Sequence, residues 1–224
     1  EVEEEKKPIS IVAVSAGDGI DAILKSLGAD VIVRGGQTMN PSIQELVDAI
    51  KASGGEQVIV LPNNGNVILT ATQAGQIVEE TVHVIPTKTI MQGIAALISI
   101  IHGSSVEENV DRMKDVISKV KSGEITYAVR DSSYNGLAIK ANDIMGILNG
   151  EIKTVGKTNE EVLNNLINDM IDDESEIVTI LYGEDVTEEE TESFVEQIRE
   201  KNPDVEFEVQ YGGQPVYSYF ISVE

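Results

Sequence analysis

The first hundred residues alternate between short apolar runs and helical patterns, and this alternation restricts the fold more than any other feature. Four runs rich in β-branched residues have the composition of buried strands, and they cover residues 9–14, 31–33, 58–61 and 82–85. Between them apolar side chains recur at helical spacing, as Ile43, Leu46 and Ile50 do. Four strand–helix units in series predict a parallel sheet with right-handed crossovers.

The second half of the chain follows a different pattern. Asn149-Gly150 between two apolar runs predicts a type I′ hairpin, and Thr158 and Thr187, each with a glutamate three residues on, predict two capped helices. Strands are predicted at residues 124–130, 144–148, 151–155, 177–182, 205–211 and 216–223. The predicted fold class is therefore α/β with two subdomains, an N-terminal parallel-sheet strand–helix repeat and a C-terminal mixed or antiparallel sheet with helices.

The change in pattern also predicts the domain boundaries. Residues 1–8 are predicted to be a linker, residues 9–103 the parallel-sheet subdomain, and residues 124–224 the mixed-sheet subdomain. Between the subdomains, Ser104 and Ser105 each precede a glutamate by three residues. This spacing predicts a capped helix that bridges the subdomains over residues 104–123 and ends at Gly123.

Small polar residues and glycine follow each strand of the first half, where parallel α/β sheets bind their ligands. After the second strand, Asn40 is predicted to cap the next helix, with Pro41 in its first turn. Free backbone N–H groups, hydroxyls and amides at such junctions suit a phosphate or a carboxylate. The candidate ligand- or partner-binding residues are Ser15, Gly17, Asp18, Gly19, Arg34, Gly35, Gly36, Gln37, Thr38, Asn40, Asn63, Asn64, Asn66, Thr87, Thr89, Arg130 and Asp131.

The same loops have a purely structural interpretation, because Gly-Asp-Gly and Asn-Gly-Asn are ordinary turn and capping sequences. The two interpretations carry equal weight at this point. Residues 17–22 meet only the alanine-ended form of a dinucleotide-binding motif, and Arg34 stands where that motif places an acid. The pair Arg130-Asp131 could reach a ligand, although a surface ion pair is the more common reason for such a dipeptide.

Composition disfavours several classes of function. The chain has no cysteine and only two histidines, so we expect no metal site and no catalytic residues. Sixteen basic against 39 acidic residues give a net charge of −23, which repels nucleic acid and anionic lipid. The most apolar stretch, residues 93–101, is too short to span a bilayer. No signal peptide is visible, and we expect a cytoplasmic protein.

Six motifs occur in order along the chain: Val-Ser-Ala-Gly-Asp-Gly-Ile (14–20), Gly-Gly-Gln-Thr-Met-Asn-Pro-Ser (35–42), Leu-Pro-Asn-Asn-Gly-Asn (61–66), Pro-Thr-Lys-Thr (86–89), Tyr-Ala-Val-Arg-Asp (127–131) and Tyr-Gly-Gly-Gln-Pro-Val-Tyr (211–217). Together they resemble the C-terminal region of bacterial fatty acid kinase A, of the dihydroxyacetone-kinase-like family. The likeness extends from about residue 9 to residue 224.

This resemblance implies a DegV-like fold and a role in bacterial lipid metabolism and phospholipid synthesis. It implies that a separate kinase domain binds ATP and magnesium and phosphorylates a fatty acid, held by a fatty-acid-binding protein B subunit, to an acyl phosphate. This chain is then expected to be non-catalytic, to need no cofactor of its own, and to dock the B subunit beside the kinase and middle domains. The alternative is a DegV-like module that binds a fatty acid or a small anion in its own cleft. Lipid-binding relatives hold the carboxylate with a Thr-Ser-Gln-Pro-Ser-like loop, and residues 36–42 of this chain depart from that pattern.

Overall fold

A computed structural model describes residues 7–35 and 40–224 of the chain. The chain forms two compact units that are interleaved in sequence. The first unit contains the residues up to Ala16 together with Ile20–Lys119, and the second contains Gly17–Gly19 together with Val120–Glu224. The three residues Gly17–Gly19 therefore belong to the second unit, although the first unit precedes and follows them along the chain.

The first unit is built on a parallel sheet, and among its described residues strands and helices alternate. The strands are β1 (Lys7–Ser15), β2 (Val31–Arg34), β3 (Gly55–Leu61) and β4 (Thr81–Val84). The helices are α1 (Asp18–Ser26), α2 (Ile43–Ala52), α3 (Ile68–Ile77), α4 (Ile90–Ile98) and α5 (Val106–Lys119). The strand order is β2-β1-β3-β4 and all three pairings are parallel, which confirms the predicted parallel strand–helix repeat.

Branched aliphatic side chains fill the core of the first unit. Val12, Val58 and Val60 on the central strands are fully buried, and they belong to one cluster with Leu46 and Ile50 of α2. Burying a side chain of this kind contributes about 1.5–3 kcal/mol. Because the strands are parallel, this packing brings the carboxyl ends of β1–β4 to one edge of the sheet.

The second unit is built on a mixed sheet. Its strands are β5 (Lys121–Tyr127), β6 (Ser132–Tyr134), β7 (Leu137–Ile139), β8 (Ile144–Leu148), β9 (Glu151–Gly156), β10 (Ile177–Tyr182), β11 (Glu206–Tyr211) and β12 (Tyr217–Val223). Its helices are α6 (Asn159–Met170) and α7 (Glu188–Lys201). Six strands form the sheet in the order β11-β10-β12-β5-β8-β9, with only β10 and β11 parallel, while β6 and β7 pair separately. The predicted mixed sheet is confirmed.

Helices α6 and α7 bury their apolar stripes against the same sheet. Leu163 and Leu166 of α6 join Ile125, Tyr219 and Ile221 of the sheet in one buried cluster.

The hairpin turn between β8 and β9 has the conformation that its sequence predicts. Between β8 and β9, Asn149 and Gly150 have φ of 49° and 87°, the two positive values that a type I′ turn requires.

Two predicted segments overlap strands, and their boundaries are wrong. The predicted linker overlaps β1, which begins at Lys7, because the Lys7 N–H donates to the Gly54 carbonyl at 2.9 Å. The predicted bridging helix 104–123 ends at Lys119, and residues 121–123 belong to the start of β5. Strand β5 ends at Tyr127, three residues before the end of the predicted strand 124–130. Gly123 does not cap a helix. A Cβ there would approach Met170 Sδ to 2.7 Å, so this glycine allows α6 to pack on β5.

Candidate functional site

The carboxyl edge of the parallel sheet is held together by Asn63, which follows β3. Its Nδ2 donates to the Val14 carbonyl at 2.8 Å, and its backbone N–H donates to Thr87 Oγ1 at 2.9 Å. Asn63 and Thr87 are both buried, and Asn63 has a φ of 55°, a left-handed conformation that asparagine tolerates. Two of the predicted binding residues are thus brought together, and their hydrogen bonds join the ends of β1 and β3 to the segment after β4.

The acceptor of the same amide has no partner within the described residues. Asn63 Oδ1 is buried without a hydrogen bond, and a Cβ on Gly93 of α4 would collide with it. Gly93 therefore allows α4 to lie directly against the amide. A buried acceptor without a hydrogen bond costs about 1–3 kcal/mol.

Asn64, Asn66 and Thr89 make turn and cap interactions. Asn64 Oδ1 accepts from the Asn66 N–H at 2.9 Å, and the Asn64 carbonyl accepts from the Val67 N–H at 2.9 Å. Thr89 is the N-cap of α4, and its hydroxyl accepts from the Gln92 N–H at 3.1 Å. These contacts match the structural interpretation of the loops, and a ligand- or partner-binding role for these residues stays a prediction.

The segment after β2 differs from the prediction at the start of α2. Ser42, rather than Asn40, is the N-cap, and it forms a reciprocal capping box with Glu45, whose N–H donates to Ser42 Oγ at 3.2 Å. Asn40 is exposed. Arg34 Nε donates to Asp21 Oδ2 of α1 at 2.8 Å. Gly35 is described, whereas the predicted binding residues Gly36, Gln37 and Thr38 lie outside the described residues.

The first glycine-rich loop does not lie wholly in the first unit. Ser15 is buried at the end of β1, whereas Gly17, Asp18 and Gly19 belong to the second unit. A Cβ on Gly17 would lie 2.5 Å from the Gly212 carbonyl oxygen, and one on Gly19 would collide with the Tyr211 carbonyl oxygen. Both glycines are therefore required by close backbone packing on the loop after β11, which is a structural reason for their presence.

Arg130 and Asp131 follow β5 in the second unit and differ in their surroundings. Asp131 accepts from the Ala141 N–H at 2.8 Å and from Lys140 Nζ at 3.2 Å. The hydrogen bond from Ala141, followed by the Lys140 interaction, lowers the pKa of the Asp131 carboxyl. The ion pair of this aspartate is thus made with Lys140, and Arg130 is exposed.

Sequence reasoning missed Glu124 on β5. It lies opposite Phe220 of β12 and Ile147 of β8, and burial raises the pKa of its carboxyl to about 7. Ser122 and Thr126 share its face of the strand, since alternate residues point the same way. This period of two was the available signal, but the predicted bridging helix covered its first half.

Sequence reasoning also missed a cavity of about 180 Å³ in the first unit. Its apolar wall consists of Ile9, Ile11, Ile59, Ile100 and Ile101. His102 and Asn109 add polar groups to the wall. Asn109 already has a hydrogen-bond partner within the protein, since its Oδ1 accepts from the Ile101 N–H at 2.9 Å. No short motif marks such a cavity, because its wall comes from four separate segments.

Helix α7 presents the acidic surface of the second unit. Thr187 caps it through a 3.2 Å bond from the Glu190 N–H, and Glu188, Glu189 and Glu190 are exposed in its first turn. Carboxylates there interact favourably with the helix dipole. Residues 169–208 contain 16 acidic and two basic side chains, so this part of the unit carries a strong negative field.

Residues 7–35 and 40–224 contain neither a metal-binding cluster nor a helix that could cross a membrane. No group of three or more histidine, cysteine, aspartate or glutamate side chains is arranged to hold a metal ion. No helix in the same ranges combines the length and the apolar character that crossing a membrane requires.

The chain matches known proteins over nearly its whole length. Residues 10–224 match the family model for the C-terminal part of fatty acid kinase A-like (FakA-like) proteins. The chain is 45% identical over 219 residues to the protein YloV of Bacillus subtilis, covering 98% of this chain and 40% of YloV. It is 43% identical over 215 residues to a Staphylococcus aureus protein, covering 96% of this chain and 39% of that protein. The chain thus spans about two fifths of the length of these curated relatives.

Solved structures share the fold at low sequence identity. DegV of Bacillus subtilis, described as a fatty acid binding protein, superposes with a TM-score of 0.67 at 16% identity, covering 97% of this chain and 99% of that one. The Fak B3 protein of Streptococcus pneumoniae, loaded with linoleic acid, gives 0.60 at 12% identity, covering 96% and 99%. The dihydroxyacetone kinase of C. freundii gives 0.64 at 11% identity, covering 99% of this chain and 49% of that one. The predicted DegV-like fold is confirmed.

Proposed function

Because the chain belongs to the C-terminal family of fatty acid kinase A-like proteins, we propose that it is the non-catalytic docking domain of such a kinase. In this proposal it binds the fatty-acid-binding protein B subunit, which brings the bound fatty acid to a kinase domain elsewhere in the full-length protein. That kinase domain supplies ATP and magnesium, and the product is an acyl phosphate. The relatives are more than twice as long as this chain, which leaves room for the other domains.

The observation that carries this proposal is the acidic surface of α7. Its first-turn carboxylates are exposed on a helix that is capped and packed, so the backbone that carries these charges is held in place. A field of this kind steers a less acidic partner during association, and it affects the association rate more than the lifetime of the complex. Glu192 contributes less to the field, since it is partly buried and lies 3.8 Å from Arg199 Nη2.

Surface plasmon resonance with the purified chain and the B subunit of the same organism tests the proposal. Glu189→Lys and Glu107→Lys form a matched pair, because each glutamate is exposed and is the second residue of a 14-residue helix, α7 or α5. Both variants change the net charge equally. We expect Glu189→Lys to slow association several-fold more than Glu107→Lys, and the difference to shrink as the Debye length falls from about 10 Å at 0.1 M salt to about 3 Å at 1 M.

The outcomes separate docking from its mechanism. Absence of binding at low salt removes the docking role. If the B subunit binds with an association rate that neither salt nor Glu189→Lys changes, the docking role stands and is assigned to neutral surfaces.

Fatty-acid binding by the chain itself is a second candidate, favoured by its fold neighbours. The DegV protein of Bacillus subtilis is described as a fatty acid binding protein, and the Fak B3 structure contains linoleic acid. In this alternative, the residues at the carboxyl ends of the strands hold a carboxylate. Calorimetric titration of palmitate and of inorganic phosphate against the chain and its Thr38→Val variant tests it. Measurable heat that Thr38→Val removes supports the alternative, and no heat with either ligand rejects it.

A further inference from the structure

Two motifs that lie far apart in sequence meet at one edge of the second unit. Thr126 of β5 pairs with Tyr217 of β12, and Thr126 Oγ1 donates to the Val216 carbonyl at 2.8 Å. Tyr127 and Val216 are the next residues beyond this antiparallel pair. The segments 127–131 and 211–217 are therefore neighbours at the end of the sheet.

The second of these segments contains a strained turn. The Tyr217 N–H donates to the Pro215 carbonyl at 2.7 Å, and Val216 between them has a φ of 70°. These values describe a γ-turn of positive φ, the rarer and more strained of its two forms. A β-branched residue in this region is an outlier, and such strain concentrates at binding sites.

Apolar side chains are exposed around this turn. Tyr127, Val129 and Val216 are 44%, 81% and 46% exposed, and we call these three residues the anchor patch. Ala128 between the first two is buried and fixed, since its N–H donates to the Asp143 carbonyl at 2.8 Å and its carbonyl accepts from the Asn142 N–H at 2.7 Å. The backbone is thus held in place while the neighbouring side chains point outward.

Acidic residues border the same turn. The Glu184 N–H donates to the Gln214 carbonyl at 3.1 Å, and Ser218 Oγ donates to Asp185 Oδ2 at 2.8 Å. Glu184 and Asp185 are both exposed and lead into the acidic start of α7. The surface has an apolar centre that these acids border beside the turn, while the exposed Arg130 follows Val129 along the chain. It complements a partner with an apolar centre and basic groups opposite Glu184 and Asp185.

We propose that the anchor patch is the contact surface for a protein partner of that chemistry, namely the B subunit of the proposed function, on which this inference rests. The exposed tyrosine and valines supply contact area that is released from water when the complex forms. The bordering acids accelerate encounter. The strained turn holds Val216 in an exposed position that an unstrained backbone would not impose.

The test measures stability and binding together, by urea unfolding of each variant and by surface plasmon resonance with the B subunit. Val129→Asp changes a side chain that is 81% exposed, so it should leave unfolding unchanged and accelerate dissociation about tenfold or more. Val216→Gly suits a φ of 70° and should not lower the unfolding midpoint, yet it should weaken binding. Leu69→Asp, at a 68% exposed apolar residue of the first unit, is the matched control and should bind like the wild type.

Three results would overturn the inference. Normal binding by Val129→Asp and Val216→Gly removes the anchor patch and leaves the docking function intact. Absence of wild-type binding removes the docking function and the patch together. A wild-type dimer in sedimentation that Val129→Asp converts to a monomer assigns the patch to a second copy of this chain instead of the B subunit.

Discussion

At the carboxyl end of β3, one asparagine holds several strand ends in place. The side-chain amide of Asn63 donates one hydrogen to the Val14 carbonyl, and its backbone N–H donates to Thr87, so these two donors are used within the fold. The sequence placed Asn63 correctly at a strand end. It could not reveal which partners its side chain would select, because those lie 49 and 24 residues away.

Glu124 lies in an environment that changes its acid–base chemistry. Burial raises its pKa from 4.5 to about 7, so between these values the folded chain binds a proton that the unfolded chain does not. The contribution of Glu124 to stability is therefore fully present below about pH 4.5 and is lost as the pH rises through 7. We expect Glu124→Gln to increase the free energy of unfolding at pH 8 by up to about 3 kcal/mol and to change it little at pH 4.5.

Urea unfolding of both proteins at several pH values measures this difference. Subtracting the wild-type curve removes the pH dependence of the other 38 acidic residues, which both proteins share. An equal effect of Glu124→Gln at every pH would contradict the raised pKa.

Helices and hairpins could be predicted where the signal lay within a few residues. Thr158 and Thr187 cap α6 and α7 as their spacing to glutamate indicated, and Asn149-Gly150 turns as its sequence requires. Gly123 was misread because the same glycine can end a helix or admit a packed helix onto a strand. Only the contact with α6, from residues more than 40 positions later, distinguishes the two.

Helix α2 offers a direct test of cap assignment. Ser42→Ala removes the side-chain half of a capping box, the hydroxyl that accepts from the Glu45 N–H, and leaves the backbone N–H of position 42 to donate to Glu45 Oε2. We expect it to lower the free energy of unfolding by about 1 kcal/mol. Asn40→Ala, at an exposed position outside the cap, should change it by less than about 0.5 kcal/mol. Thermal or urea unfolding of the two variants settles the assignment. If Asn40→Ala lowered the free energy of unfolding more than Ser42→Ala does, Asn40 would be the N-cap, as the sequence predicted.

Across the whole molecule, the net charge of −23 opposes folding. Raising NaCl from 0.01 M to 0.1 M shortens the Debye length from about 30 Å to about 10 Å, and repulsion between distant carboxylates weakens. We expect the melting temperature at pH 7 to rise by roughly 4 °C, equivalent to about 1–2 kcal/mol for a chain of this length. Differential scanning calorimetry measures it.

The control for this prediction repeats the salt series near the isoelectric point, at about pH 4.3. There the net charge is small, and the same step in salt should move the melting temperature much less. A melting temperature at pH 7 that stays constant or falls with salt would show that local ion pairs, such as Lys7–Asp30, outweigh the general repulsion.

The assignment of residues 17–19 to the second unit has a consequence for biosynthesis. Gly17 and Gly19 pack on the backbone of residues 211–213, which are synthesised long after them. The start of α1 therefore cannot reach its native surroundings until residues 211–213 have been synthesised, even if the rest of the first unit has already folded. The two units also cannot be separated by dividing the chain once. A fragment that begins at Val120 would lack Gly17–Gly19, three residues of the second unit.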